Sequence, residues 1–123
     1  MDCVFCNKFK EKTPVFENEL ALAYYDEFPV NKGHMLFITK RHIETFFDTS
    51  IEEQNAIFEL VRKAKIDLDN LYHPDGYNIG LNCNESAGQS VMHIHLHLIP
   101  RYKGDVKNPR GGVRGVIPKN KDY

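Results

Sequence analysis

Three histidines occupy alternate positions near the end of the chain, at His93, His95 and His97, and the residues between them are apolar. Side chains alternate between the two faces of a β-strand, so this pattern predicts a face of histidines opposite a face of core residues that includes Met92. Same-face neighbours lie roughly 6.5 to 7 Å apart, which suits either a shared metal ion or a nucleophile between two donors. Spacing alone leaves both chemistries open.

The residues just ahead of the histidines favour a phosphate ligand over a bare metal ion. Asn82, Gln89 and Ser90 carry neutral hydrogen-bonding groups, and the small residues Ala87 and Gly88 leave backbone amides accessible. Such groups are well suited to contact phosphate oxygens.

A second group of candidate ligands lies at the start of the chain, where Cys3 and Cys6 are spaced as Cys-x-x-Cys. With three cysteines in total, an odd number, this pair indicates metal or redox chemistry in a reducing compartment rather than a disulfide framework. A redox role is the weaker hypothesis because no βαβ pattern follows. Cys83 is expected to be a small loop residue.

Length and charge limit the class of protein further. The 123 residues, 41% of them hydrophobic, predict one domain spanning 1–123, and without a leader-like or membrane-spanning apolar run we expect a cytoplasmic protein. Residues 101–123 carry a net charge of +5, and the remainder −6. This segment suits a phosphate-rich ligand, although a solvated terminus is the alternative. The sequence has no basic stripe with interleaved aromatic residues, so we do not expect a nucleic-acid partner.

The apolar pattern predicts an α+β fold with a mainly antiparallel sheet. Strands are expected at residues 20–25, 33–39, 77–82 and about 91–100, with a loop at 83–88. Ser50 and Glu53 have the spacing of a capping box, and Pro74 ends the helix that follows, with His73 at its cap. Its apolar face is predicted from three-and-four spacing at Ile57, Leu60, Val61, Ala64, Leu68 and Leu71.

The segment 88–101, with His-Ile-His-Leu-His-Leu-Ile at its centre, resembles the signature of the histidine triad (HIT) family, His-φ-His-φ-His-φ-φ with φ apolar. Asn82 stands before it, and Gly33-His34 with a following apolar strand stands earlier, as in that family. The resemblance covers residues 3 to about 101. It implies a five-stranded, mainly antiparallel sheet with one long helix, paired into a homodimer.

The resemblance also implies an activity. His95 would attack the α-phosphorus of adenosine-type dinucleoside polyphosphates or nucleoside phosphoramidates, giving a nucleotidyl-histidine that water hydrolyses. His97 and His34 would donate to the non-bridging oxygens, and Ser90 would assist the leaving group. A nucleotidyl transferase or phosphorylase is the alternative enzyme. A non-catalytic nucleotide-binding or metal-binding protein, with a metal at the triad, is the alternative from another class.

Substrate contacts are carried over in the same way, with Asn82 and Gln89 on phosphate and Asp26 on the ribose hydroxyls. The candidates for base contact are Phe5, Tyr24 and Tyr25. Lys8 and Glu27 stand where the family usually has apolar residues, which leaves the base preference open.

Two further expectations concern the ends of the chain. In bacterial relatives of this type a structural zinc is held by four ligands, which map to Cys3, Cys6, His42 and His93. His93 would then belong to the metal rather than to the phosphate site. The Gly- and Arg-rich segment 104–118 is expected to fold over the site and to contact a distal phosphate or second nucleoside through Arg110 and Arg114.

Overall fold

The computed structural model describes residues 3–123 and contains one five-stranded sheet. The strands are β1 (Phe16–Glu17), β2 (Ala21–Tyr25), β3 (Met35–Thr39), β4 (Gly76–Gly80) and β5 (His95–Arg101). Their order in the sheet is β1-β2-β3-β5-β4, and every neighbouring pair is antiparallel. The predicted fold, a five-stranded antiparallel sheet with one long helix, is confirmed.

The long helix, α2 (Ile51–Tyr72), begins at the predicted capping box. The Glu53 backbone N–H donates to Ser50 Oγ at 3.1 Å, and the Ser50 N–H donates to the Glu53 carboxylate at 2.9 Å. At the other end His73 adopts a left-handed conformation with φ 50° and caps the helix. Leu71 was predicted to join the apolar face but is 61% exposed, whereas Leu68 and Tyr72 are the residues that pack against the core at this end of α2.

The two faces of the sheet have different partners. One face packs against α2 through Ala23, Phe37, Leu96 and neighbouring buried residues. On the other face Leu22, Tyr24, Leu36 and Ile38 pack with Phe5. His97 pairs with Leu36 and His95 with Ile38 across β3 and β5, which places both histidines on this second face.

The last strand starts later than predicted, at His95 rather than near residue 91. His93 and Met92 therefore precede the strand, and Met92 is 39% exposed instead of lying in the core. Gln89 stabilises the loop that precedes β5. Its amide donates to the carbonyls of Glu44 and Val91, and its oxygen accepts from the Asn84 N–H.

A short helix, α1 (Val4–Glu11), was not predicted. It has eight residues, with Phe5 as its buried residue, so it is too short for three-and-four apolar spacing to repeat. The thiol of Cys3 accepts from the Cys6 N–H at the start of α1, so its first turn is capped by the Cys-x-x-Cys motif. Within residues 3–123 no helix combines the length and apolar character needed to cross a membrane.

Candidate functional site

His95 begins β5 and is 8% exposed. Its Nδ1 lies 2.9 Å from the backbone carbonyl oxygen of His93. A carbonyl can only accept, so Nδ1 carries the hydrogen and Nε2 keeps the unprotonated lone pair. The fold thus leaves Nε2 of His95 free of this contact.

His34 and His97 form a hydrogen-bonded pair whose direction is set by the backbone. The Val30 N–H donates to Nδ1 of His34 at 3.1 Å, so the ring hydrogen of His34 lies on Nε2. That Nε2 is 2.9 Å from Nδ1 of His97, which accepts and therefore places the hydrogen of His97 on its own Nε2. Because both nitrogens of His34 have partners, the geometry favours a role through His97 over the direct phosphate contact expected from the sequence.

Burial keeps this pair neutral. It lowers the pKa of His97 to about 4, with a further contribution from the charges of His95 and His34 when protonated. Burial also lowers the pKa of His34, partly offset by Asp26, whose carboxylate lies 3.4 Å from Nε2 of His34. Near pH 7 both rings are uncharged donors and acceptors rather than cations.

A cavity of about 280 Å³ adjoins the two β5 histidines. The ring of Phe5 meets that of His95 edge-on at a centroid distance of 4.9 Å. The lining brings together five of the residues predicted from the sequence, Phe5, Asp26, Ser90, His95 and His97, with Val4, Lys8, Glu27, Phe28, Leu36 and Val91. Phe28 was missed, although an aromatic residue just after Asp26 and before Pro29 was a usable signal.

Two predicted substrate contacts lie elsewhere. Tyr25 pairs with Met35 on the α2 face of the sheet, opposite the histidine face, so it does not make the base contact expected from the sequence. Burial and the neighbouring Tyr72 raise the pKa of its hydroxyl there. Gln89 is 4% exposed, and its amide is committed to the loop before β5. Tyr24 does lie on the histidine face, but its hydroxyl donates to the Lys12 carbonyl at 3.1 Å.

A second cavity, of about 390 Å³, lies on the other side of His97. His34 and Asn82 border it, together with Gly112, Val113 and Val116 of the C-terminal segment. The segment thus reaches the histidines, as expected, but not through its arginines. Arg110 and Arg114 stack on the ring of Tyr123 at 4.6 and 4.7 Å, and Arg114 also donates to the carbonyls of Asn120 and Lys121.

Cys3, Cys6, His42 and His93 converge so that one ligand atom of each lies within 4.8 Å of the others. Nδ1 of His93 lies 3.4 Å from the Cys3 sulfur and 3.6 Å from the Cys6 sulfur, and Nδ1 of His42 lies 3.4 Å from Cys6. A tetrahedral zinc ion with ordinary bond lengths holds sulfur and nitrogen about 3.5 Å apart. The spacing therefore fits a closed Cys₂His₂ zinc shell.

The orientation of His93 fits the same group. Its Nε2 donates to the Thr39 carbonyl at 2.8 Å, which leaves Nδ1 as the unprotonated nitrogen facing the two thiols. Burial and the neighbouring Cys3 raise the pKa of the Cys6 thiol, and a divalent cation would offset that penalty.

Asp26, His34 and His97 form another close group of potential ligands. It does not include His95. Since His34 Nδ1 accepts from Val30 and its Nε2 is hydrogen-bonded to His97, this group is already satisfied internally. The donor set suits a metal less well than the cysteine-containing group does.

The fold and site define a small α+β domain with paired histidines beside a cavity and a separate Cys₂His₂ group. Comparison with known proteins extends this description. A family model described as HIT domain matches residues 7–104. The chain belongs to the histidine triad (HIT) family, as the resemblance indicated.

Several relatives share most of the chain. An uncharacterised HIT-like protein of Methanocaldococcus jannaschii is 42% identical, over 84% of this chain and 81% of its own length. Two Schizosaccharomyces pombe proteins have named activities. The adenosine 5'-monophosphoramidase hnt1 is 36% identical over 82% of this chain and 75% of its own, and the asymmetrical bis(5'-nucleosyl)-tetraphosphatase is 32% identical over 83% and 57%.

Solved structures agree with the fold. A HIT family protein from Bacillus anthracis superposes with a TM-score of 0.79 at 38% identity, covering 85% of this chain and 76% of that one. A zinc-bound histidine triad family protein from Mycobacterium smegmatis superposes with a TM-score of 0.76 at 34% identity, covering 85% and 78%.

Proposed function

We propose that this chain is a nucleotide hydrolase that cleaves the α-phosphate bond of nucleoside phosphoramidates or dinucleoside polyphosphates through a covalent intermediate on His95. The observation that carries the proposal is the hydrogen bond from His95 Nδ1 to the His93 carbonyl, because it leaves Nε2 as the nucleophile. The phosphoramidase and tetraphosphatase relatives support the two substrate classes.

In the first step Nε2 of His95 attacks the α-phosphorus, the bond from phosphorus to the leaving oxygen or nitrogen breaks, and the leaving atom takes a proton from solvent. The positive charge that develops on the imidazole is stabilised by the Nδ1–H contact with the His93 carbonyl. In the second step water attacks phosphorus, the bond from phosphorus to Nε2 breaks, its electron pair returns to the neutral His95 ring, and one proton of the water is released to solvent with the nucleoside monophosphate.

His97 would hold the charge on the transferred phosphoryl group. Its Nε2–H is the free donor of the His34–His97 pair, and it lines the same cavity as His95. His34 is then a positioning residue, since its hydrogen bond fixes which nitrogen of His97 is protonated. A donor fixed in advance avoids reorganisation during the reaction.

The remaining contacts follow from the cavity lining. Ser90 and Asp26 share the His95 cavity, so we assign the Ser90 hydroxyl to the leaving group and the Asp26 carboxylate to the ribose hydroxyls. Asn82 borders the cavity beyond His97, in reach of the leaving-group side. No substrate contact is assigned to the Gln89 side chain, because it is hydrogen-bonded to the backbone of Asn84, Val91 and Glu44.

Zinc is proposed at Cys3, Cys6, His42 and His93, where it would be structural because four protein ligands leave no open position. The zinc-bound relative from Mycobacterium smegmatis supports this assignment. The homodimer implied by the family stays a prediction. A transferase or phosphorylase would use the same residues and differ in the acceptor that relieves His95.

The proposal is tested by following release of nucleoside monophosphate from a nucleoside 5'-phosphoramidate. We expect turnover by the wild-type protein and its loss, by at least about a thousandfold, in His95→Asn. His73→Asn, at the distant end of α2, is the matched control and should retain activity. Full hydrolysis by His95→Asn would refute the mechanism.

A further inference from the structure

The cavity beside His95 has an oppositely charged pair in its lining. Lys8 comes from α1 and Glu27 from the loop after β2, and both line the cavity together with Asp26. The Lys8 side chain is only 9% exposed, and its Nζ lies 3.6 Å from Oε1 of Glu27. A mostly buried ammonium group requires partners, and a ligand can supply some of them.

Glu27 keeps one carboxylate oxygen available for a ligand. Lys12 donates to the same Oε1 of Glu27 at 2.7 Å, so both lysines make their closest approach to one carboxylate oxygen and Oε2 can still accept. These lysines also lower the pKa of Glu27, which keeps it an ionised acceptor at neutral pH. Lys8 carries only donors, and Glu27 offers only acceptors.

An aromatic surface adjoins the pair. Phe28 lines the same cavity and is 85% exposed, whereas Phe5 is 6% exposed on the inner side against His95. A solvent-exposed ring beside a ligand cavity is a stacking surface for a flat heterocycle. The cavity therefore combines a stacking ring, a donor and an acceptor with the two β5 histidines.

We propose that Glu27 and Lys8 read the edge of the nucleobase and give the site a preference for guanine over adenine nucleotides. The inference rests on the proposed function and changes the adenosine-type substrate expected from the family. Guanine presents two adjacent donors, N1–H and the N2 amino group, which suit the Glu27 carboxylate, and an O6 acceptor for Lys8. Adenine has a lone pair at N1, where the carboxylate requires a donor.

The preference is measured by calorimetric binding of guanosine, inosine and adenosine 5'-monophosphates to His95→Asn, and by kcat/KM of the wild-type protein on the three 5'-phosphoramidates. We expect guanosine to be favoured over adenosine by about tenfold, the effect of one charge-assisted hydrogen bond at a half-exposed group. Inosine, which lacks the N2 amino group, should fall between them.

Two variants distinguish the contribution of Glu27 to nucleotide binding from that of Lys8. Glu27→Gln is expected to remove the discrimination between guanosine and inosine, and Lys8→Met to weaken both while leaving their ratio unchanged. Glu11→Gln and Lys10→Met, on the exposed side of α1, are the matched controls and should behave as wild type.

Equal binding of the guanosine and adenosine monophosphates, or an unchanged guanosine preference in Glu27→Gln, overturns the inference. Because the guanosine-to-inosine comparison needs only the wild-type protein and His95→Asn, it stands even if Glu27→Gln fails to fold. Selective binding of guanosine monophosphate without turnover of any phosphoramidate or dinucleoside polyphosphate supports the inference while contradicting the proposed hydrolase. Turnover of the three phosphoramidates at equal kcat/KM supports the proposed hydrolase and contradicts the inference.

Discussion

Nε2 of His34 lies 2.9 Å from Nδ1 of His97, and the Val30 N–H on the far side of His34 decides which of the two rings donates. A backbone amide in the loop before β3 thus determines the protonated nitrogen of a residue on β5. Under the proposed function His34 would act without touching the substrate, because it fixes which nitrogen of His97 donates.

Replacement of the two histidines should therefore have unequal effects. His97→Ala removes the phosphoryl donor, and we expect kcat to fall by about 10² to 10³. His34→Ala leaves the donor but not its orientation, so a smaller loss of about tenfold is expected, and the double variant should resemble His97→Ala. Steady-state kinetics on a phosphoramidate test this, and strictly multiplicative losses in the double variant would contradict the coupling.

The pKa of His97 predicts how stability depends on pH. Its value of about 4 in the folded state lies below the value near 6.5 expected in the unfolded chain, so the unfolded chain binds more protons between these values. The contribution of the neutral His97 ring to the free energy of unfolding is complete above about pH 6.5 and is lost as the pH falls towards 4. We expect His97→Asn to reduce the loss of unfolding free energy between pH 7 and pH 4 by roughly 1 to 3 kcal/mol.

Urea denaturation of the wild-type protein and His97→Asn at both pH values measures that difference. His73→Asn is the control for an exposed histidine position and should follow the wild type. A pH dependence identical in His97→Asn and wild type would show that His97 is not the group responsible.

A zinc ion at the Cys₂His₂ group and a metal ion at the histidine triad make opposite predictions for metal content. Zinc measured by mass spectrometry of the purified protein should be about one per chain, retained in His95→Ala and lost in Cys3→Ser. Cys83→Ser is the matched control for loss of a thiol and should keep its zinc. Loss of zinc in His95→Ala with retention in Cys3→Ser would place the metal at the triad and overturn the assignment.

The C-terminal segment should act through Val113 and Val116, which border the cavity beyond His97. Val113→Asp places a negative charge in that wall, so we expect the KM for a dinucleoside polyphosphate to rise by about tenfold or more, with a smaller effect on a phosphoramidate. Arg110→Ala, which removes a side chain stacked on Tyr123, should change KM less. Unchanged KM values for polyphosphates in all of these variants would exclude the segment from substrate binding.

The fold was largely predictable because α2 and the central strands have regular apolar patterns and clear end signals. The N-terminal helix escaped prediction because its first turn is capped by a cysteine thiol and Phe5 is its buried residue. Leu71 was misplaced because apolar spacing extended the buried face to it, whereas Leu68 and Tyr72 make the core contacts at this end of α2.

The site divides in the same way. Alternation along one strand placed His95 and His97 together, and the family resemblance separated His93 from them. Which ring nitrogens are protonated depends on the backbone carbonyl of His93 and the backbone N–H of Val30. Such backbone groups recur along the whole chain, and no sequence pattern marks these two. Tyr25 was misassigned because the face of β2 that meets α2 is set by the register with Met35.

Mass spectrometry of the protein, quenched without acid during turnover of a nucleoside phosphoramidate, tests whether His95 is the nucleophile. We expect a transient increase in mass equal to one nucleotidyl group, located by peptide fragmentation on His95 and absent from His95→Asn. An adduct on another residue, or rapid turnover with no adduct under conditions that preserve phosphohistidine, would contradict it.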